Sequence, residues 1–305
     1  MSASITLIGD QLANSERKLY TWFAQHQLEA QKKLLTHPQA DVSVQRYDIS
    51  TPLADGKHSQ YRQELLALAN ETGVDHVLQV QSPSTSQTGL AVFDMDSTLI
   101  KAEVIDELAV EMGIGAQVAA VTASAMRGEI EFTESFVQRL ALLEGLSSEV
   151  MDNVYQRIVH MDGIAILMKA LHKLGWKTAI LSGGFTYFAD RLQQEYGMTH
   201  VHANVLEIEA GRLTGKHIGP IVDAKRKQQL LAQLTEQYQL PVSQTIACGD
   251  GANDLLMLNA AGLGVALHAK PLVREQAPCP VNNLGLDAVL YLLGLSSDDI
   301  QALVS

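Results

Sequence analysis

From residue 163 onward, short apolar segments alternate with helical patterns, and several of these segments end in loops rich in chemically useful side chains. A helix over 163–174 leads to a strand at 178–181, then Ser182-Gly183-Gly184 and another helix. A strand near 201–206, a helix over 223–237, a strand at 245–248, the loop Gly249-Asp250-Gly251, a helix over 252–261 and a strand at 264–267 follow. Strands alternating with helices predict a parallel sheet covered on both faces, a Rossmann-like α/β architecture. In such sheets ligands bind outside the carboxyl ends of the strands.

One more strand belongs to this set. Leu90-Ala91-Val92-Phe93 is a continuous apolar run that passes directly into Asp94-Met95-Asp96. Between it and residue 163 there is no convincing strand. Residues 103–160 read as four helices, near 103–112, 116–127, 133–143 and 147–158, with breaks at Gly113-Ile114-Gly115, Gly128 and Gly145. This predicts a four-helix cap inserted after the first strand of the sheet. Ahead of that strand, Ser82 to Gly89 is a small, polar linker. Before the linker, strands at 5–8, 42–47 and 77–80 with helices near 12–25 and 58–72 predict a small N-terminal α/β unit in β-α-β-α-β order. The expected organisation is residues 1–85 as that unit, 90–294 as the main domain with its cap at about 103–160, and 295–305 as a C-terminal tail or helix.

The 305 residues carry 34 acidic and 22 basic side chains, a formal charge of −12. Such a surface disfavours nucleic acid and anionic membranes. It leaves room for a small phosphate ester, because a divalent cation and one or two basic side chains reverse the field locally. No window approaches the ~18 apolar residues of a membrane span. The segment MSASITLIGDQ lacks the basic and apolar stretches of a secretory signal. Cys248 and Cys279, two in all, suit small core residues rather than a disulfide framework or zinc site. These features together predict a reduced, cytoplasmic setting.

Three loops carry the chemistry: Asp94-Met95-Asp96-Ser97-Thr98, Ser182-Gly183-Gly184, and Gly249-Asp250-Gly251-Ala252-Asn253-Asp254. Asp94 and Asp96, two apart on an extended segment, point to the same side. One can attack phosphorus to give an aspartyl-phosphate, and the other can protonate the leaving alkoxide and later deprotonate water. Two carboxylates repel a phosphate dianion, and a bound Mg²⁺ offsets this. Asp250 supplies a further hard oxygen ligand, and Asp254 can hold a metal-bound water. Ser182-Gly183-Gly184, placed between a strand and a helix, offers backbone N–H groups and a hydroxyl to an anion. Lys225, at the start of its helix, can set a positive charge against the phosphoryl oxygens. Phe132 and Arg139 share a helix face in the cap, where Arg139 can clamp a carboxylate. Glu103 can receive an ammonium. Taken singly, each is an ordinary residue: a turn aspartate, a core Phe, a solvated Lys or Arg. His200 and His202 have no third ligand at metal spacing, and nucleotide-binding glycine fingerprints are absent.

Together, Asp94-Met95-Asp96-Ser97-Thr98-Leu99, Ser182-Gly183-Gly184-Phe185, Lys225 and Gly249-Asp250-Gly251-Ala252-Asn253-Asp254 resemble the four motifs of the haloacid-dehalogenase-like superfamily, and more narrowly those of bacterial phosphoserine phosphatases. The likeness runs from about Leu90 to Gly294. It implies Asp94 as nucleophile and Asp96 as general acid/base. One Mg²⁺ would be held by Asp94, Asp250 and the backbone carbonyl of Asp96. Ser182, Gly183 and Lys225 would bind the phosphoryl group, with Asn253 and Asp254 in support. Glu103, Phe132 and Arg139 fall at substrate-reading positions, so the implied substrate is O-phospho-L-serine. The implied activity is its hydrolysis to L-serine and phosphate, the last step of serine biosynthesis. Residues 1–85 permit comparison with amino-acid-sensing ACT domains but fall short of their full pattern, and a homodimer is compatible with the resemblance. Two alternatives stay open at this point: phosphotransfer to, or hydrolysis of, another small phosphorylated amino acid such as homoserine phosphate, and a non-catalytic amino acid sensor.

Overall fold

The computed structural model describes residues 3–36, 42–127 and 129–305. The N-terminal unit contains β1 (Ser4–Gly9), α1 (Leu12–Gln25), β2 (Ala30–Thr36), β3 (Ser43–Ile49), α2 (His58–Thr72) and β4 (Asp75–Gln79). Its sheet runs β2-β3-β1-β4 with every neighbouring pair antiparallel. This β-α-β-β-α-β order is ferredoxin-like. The sequence pattern does not reveal β2, and for a physical reason. The segment AQKKLLT lies at the sheet edge with Gln31, Lys32, Lys33 and Leu34 exposed, so it shows no alternation, and its lysines guard the unpaired edge.

The sheet is buried on both faces. Ile5, Leu7, Tyr47 and Leu78 pack beneath α1 and α2, whose inward stripe includes Leu12, Leu19, Trp22 and Phe23. Ile8, Leu35, Val44 and Val77 join the core of the larger domain instead. Polar anchors reinforce this second contact. Arg46 Nη1 and Gln79 Nε2 donate to the Leu292 carbonyl at 3.0 and 2.9 Å. Asp75 accepts the backbone N–H groups of Asn282 and Asn283, each at 2.9 Å.

The larger domain begins with β5 (Leu90–Phe93) and continues through α3 (Val104–Glu111), α4 (Gly115–Met126), α5 (Phe132–Ala141) and α6 (Glu149–Arg157). Next come α7 (Ile164–Lys173), β6 (Lys177–Phe185), α8 (Thr186–Tyr196), β7 (His200–Glu209), β8 (Arg212–Ile218) and α9 (Ala224–Gln237). The chain finishes with β9 (Thr245–Gly249), α10 (Leu255–Ala260), β10 (Leu263–Leu267), α11 (Pro271–Gln276), β11 (Cys279–Val281), α12 (Ala288–Leu292) and α13 (Ser297–Val304). The sheet order is β11-β10-β9-β5-β6-β7-β8, parallel except for β8. Along β5, Ala91 and Phe93 enter one core layer and Leu90 and Val92 the other, the mark of a strand covered on both sides.

The expected parallel sheet and its helical insertion are therefore present, with two additions. β11 extends one edge by only three residues. β8 extends the other through a hairpin turn at Ala210 and Gly211, both at positive φ, 47° and 75°, as a type I′ turn requires. This hairpin grips the cap: Gly145 N donates to the Leu213 carbonyl and Leu213 N to the Leu146 carbonyl. Both Cys248 and Cys279 are free and buried, as expected of core residues. Gly128, expected as a break between cap helices, lies outside the described residues. Among the described residues, no helix is long and apolar enough to cross a membrane.

Candidate active site

β5 and β9 end side by side, and their pairing fixes the first carboxylate. Asp94 N donates to the Cys248 carbonyl at 2.9 Å, so the residue after Phe93 emerges at the carboxyl edge of the sheet beside the Asp250 loop. The chain then turns sharply. Thr98 N and Leu99 N both donate back to the Met95 carbonyl, and Ser97 takes φ 55°. The paths into and out of the cap run together, with Lys101 N bonded to the Val159 carbonyl and Met161 N to the Leu99 carbonyl.

At the centre lies Lys227, wholly buried, its Nζ 2.8 Å from Asp94 Oδ1 and 2.7 Å from Asp254 Oδ1. Burial alone would lower the ammonium. The Asp254 and Asp94 carboxylates outweigh it and hold Lys227 well above the ordinary lysine range. Asp254 is anchored further by the Gly251 N–H, 3.0 Å from its Oδ2. It can come this close because position 249 is glycine: a Cβ there would lie 2.5 Å from Asp254 Cγ. Asp94 Oδ1 also accepts the Met95 N–H at 2.7 Å.

Lys225, the lysine expected on the phosphoryl group, is exposed at the start of α9 and does not join this cluster. The helix explains the correction. Its inward stripe is Lys227, Leu230, Leu231 and Leu234, the i, i+3, i+4, i+7 face, and position 225 is not on it. The leucine periodicity was the available signal for Lys227.

Asp94, Asp250 and Asp254 each bring one carboxylate oxygen within 4.8 Å of the others, a grouping able to hold a metal ion. The donors are all hard oxygens, which suits a cation of the Mg²⁺ or Mn²⁺ type. Burial and the Asp94 charge push Asp250 up to about 8, against a single contact from the Thr98 hydroxyl at 3.3 Å. So much crowded negative charge fits a cation site. Thr98 was not singled out in the sequence, where it was one more residue of a turn.

Asp96 is raised as well. Its Oδ1 is buried without a hydrogen-bond partner, and its carboxylate is met by the Val104 backbone N–H. Burial, then the Glu103 and Asp94 charges, raise its carboxyl well above the ordinary range, with Lys227 offsetting part. Gly184 sits against it: a Cβ there would lie 2.7 Å from Met95 Cε and 3.1 Å from Asp96 Oδ2. Ser182-Gly183-Gly184 thus faces the aspartate pair, although it forms an irregular end of β6, with a register break before Phe185, rather than a loop of its own. Ser182 Oγ accepts the Gly184 N–H at 2.9 Å. Gly183 lies under the cap, and a Cβ on it would be 3.3 Å from Phe132 Cζ.

Phe132 opens α5, and Arg139 follows on the same helix, half-buried. Burial lowers Arg139, while the charges of Asp106, Glu103 and Asp96 draw it back up. Arg139 therefore faces an acidic wall made of Asp106 on α3, Glu103 just ahead of that helix and Asp96 in the turn after β5. Glu103 accepts the Ser97 hydroxyl at 2.9 Å; crowding within the cleft and the Asp94 and Asp106 charges raise its carboxyl. Asp106 was missed in the sequence, although it sits one helical turn beyond Glu103. Asn253 Oδ1 folds over Gly251, into the space that a Cβ on that glycine would occupy. The structure thus brings Asp94, Asp96, Glu103, Phe132, Arg139, Ser182, Gly183, Asp250 and Asp254 to one cleft between cap and sheet, with Asn253 at its Gly251 edge.

Residues 91–259 match the haloacid dehalogenase-like hydrolase family. The chain belongs to that family. As a haloacid dehalogenase-like hydrolase it has relatives similar over most of its length. It is 47% identical over 239 residues to a phosphoserine phosphatase of Streptomyces coelicolor, covering 77% of this chain and 58% of that one. It is 45% identical over 234 residues to the phosphoserine phosphatase of Haemophilus influenzae, covering 77% of this chain and 74% of that one. The structure of a probable phosphoserine phosphatase from Vibrio cholerae superposes with a TM-score of 0.76 at 33% identity, over 98% of this chain and 88% of that one. This haloacid dehalogenase-like hydrolase thus spans under two thirds of the Streptomyces protein and about three quarters of the Haemophilus one.

Proposed function

We propose that the chain is a Mg²⁺-dependent phosphoserine phosphatase that hydrolyses O-phospho-L-serine through an aspartyl-phosphate on Asp94. The observation that carries this reading is the pairing of Asp94 with two different neighbours. Lys227 grips its Oδ1, while Asp96, whose buried Oδ1 has no hydrogen-bond partner, sits next to it in a setting that favours the protonated acid.

In this mechanism Asp94 Oδ2 attacks phosphorus as the serine oxygen leaves on the opposite side. Lys227, rather than Lys225, holds Asp94 in line and compensates charge on the phosphoryl group. Asp96 gives its proton to the serine alkoxide; it then takes one from the water that attacks the phosphoenzyme, so that phosphate leaves and both aspartates return to their starting states. Ser182 and the Gly183 backbone receive the phosphoryl oxygens. Asp94, Asp250 and the Asp96 carbonyl would hold a divalent cation, with Asp254 in support, and the ion would supply positive charge against the phosphate. Glu103 takes the substrate ammonium and Arg139 its carboxylate, with Phe132 closing the cleft and excluding water.

Phosphate release across a panel of phosphorylated amino acids, sugars and an aryl phosphate tests the reading. Phosphoserine should give the highest kcat/KM, and Asp94→Asn should abolish turnover on every substrate. A sugar phosphate as the best substrate would overturn the assignment.

A further inference from the structure

A second concave site lies where the N-terminal unit meets the phosphatase domain. A cavity of about 220 Å³ opens between α2 and α11, with β4 and β11 beneath, and none of its walls belongs to the active site. Arg62 of α2 and Arg274 of α11 stand on its two sides, and His76 of β4 also lines it. Arg62 Nε and Arg274 Nε are both buried without a hydrogen-bond partner. Among the described residues neither guanidinium has an acidic partner, in a chain whose acids outnumber its bases by 34 to 22.

The acid within the cavity does not neutralise them. Asp75 is committed to the backbone N–H groups of Asn282 and Asn283 and to Asn282 Nδ2. Glu275, beside Arg274 on α11, is exposed and makes no ion pair among the described residues. A buried N–H without an acceptor is costly, and two arginines in this state from different domains form a recognisable vacancy for negative charge. His76, 5% exposed, is occupied by the Val74 and Ser15 carbonyls and makes no demand on a ligand.

We propose that this cleft binds a small anion, clamped between Arg62 and Arg274. Phosphate and the carboxylates of small hydroxy or amino acids share that chemistry, and the volume suits ligands of this size. Because the two arginines come from separate domains, the bound anion ties the ferredoxin-like unit to the phosphatase domain.

Amide hydrogen exchange on the full chain tests this, with inorganic phosphate and glycolate as probes and chloride at matched ionic strength as the control. One or both probes should slow exchange saturably over residues 58–79 and 271–283, more than the control. In an Arg62→Gln, Arg274→Gln double variant that slowing should vanish, while protection by phosphate near Asp94 and the rate without added anion stay as in the parent. The retained rate and retained protection near Asp94 show that the variant is folded. Absence of saturable slowing by either probe, undiminished slowing in the double variant, or an equal response to chloride would overturn the proposal.

Discussion

Lys227 Nζ lies 2.8 Å from Asp94 Oδ1, and the lysine is fully buried. Removing it strands two carboxylates, Asp94 and Asp254, in a site where no other basic side chain among the described residues pairs with them. Breaking a buried ion pair in this way costs about 3–5 kcal/mol. Lys227→Met should abolish measurable turnover and lower Tm by several degrees. Lys225→Met, on the exposed start of α9, should leave kcat within about twofold. Kinetics and thermal melts of the two variants check this, and the opposite ranking would return the phosphoryl-binding role to Lys225.

The difference between these lysines shows where the sequence was legible and where it was not. The strand Leu90–Phe93, its exit into Asp94 and Asp96, and the glycine-punctuated helices of the cap follow from local pattern alone. Which of two lysines two residues apart turns inward depends on the helix stripe, and that is visible only when Leu230, Leu231 and Leu234 are read together. β2, β8 and β11 were not seen because an exposed edge strand, a strand that packs against the cap and a three-residue strand lack alternation or length. Arg139 facing Asp106 and Glu103 depends on how cap helices α3 and α5 pack, which no single segment encodes.

Metal-free protein should be less stable at about pH 9 than at about pH 7. Asp250 is raised to about 8 in the folded state, from 3.8. A raised carboxyl binds its proton more tightly folded than unfolded, so its contribution is fully present below the unfolded value and lost as pH rises through the folded one. His76, His172, His200 and His202 are lowered from 6.5 by burial, so their effect falls at lower pH and outside this window. Melts in EDTA at both pH values test the sign. Mg²⁺ should raise Tm more at the higher pH, because the deprotonated carboxylates bind it; a larger effect at the lower pH would contradict this.

Arg139→Ala should separate substrates. A charge-assisted hydrogen bond is worth about 1.5–3 kcal/mol, which corresponds to roughly ten- to hundredfold in kcat/KM. The loss should appear on phosphoserine and be far smaller on an aryl phosphate without a carboxylate. Equal losses on both would rule out a carboxylate clamp at Arg139.

Asp75→Ala should loosen the N-terminal unit. It leaves the Asn282 and Asn283 backbone N–H groups without their acceptor, at about 1–3 kcal/mol. Urea unfolding should show a lower midpoint, with phosphatase activity before unfolding close to the parent's. An unchanged midpoint would mean that this contact contributes little to the join.

The most direct test of the aspartyl-phosphate mechanism is rapid acid quench of the enzyme during turnover of phosphoserine, followed by mass spectrometry of the peptides. The mechanism predicts a phosphoryl adduct on Asp94 that forms within one turnover and is absent from Asp94→Asn. An adduct on another residue, or full turnover by Asp94→Asn, would contradict it.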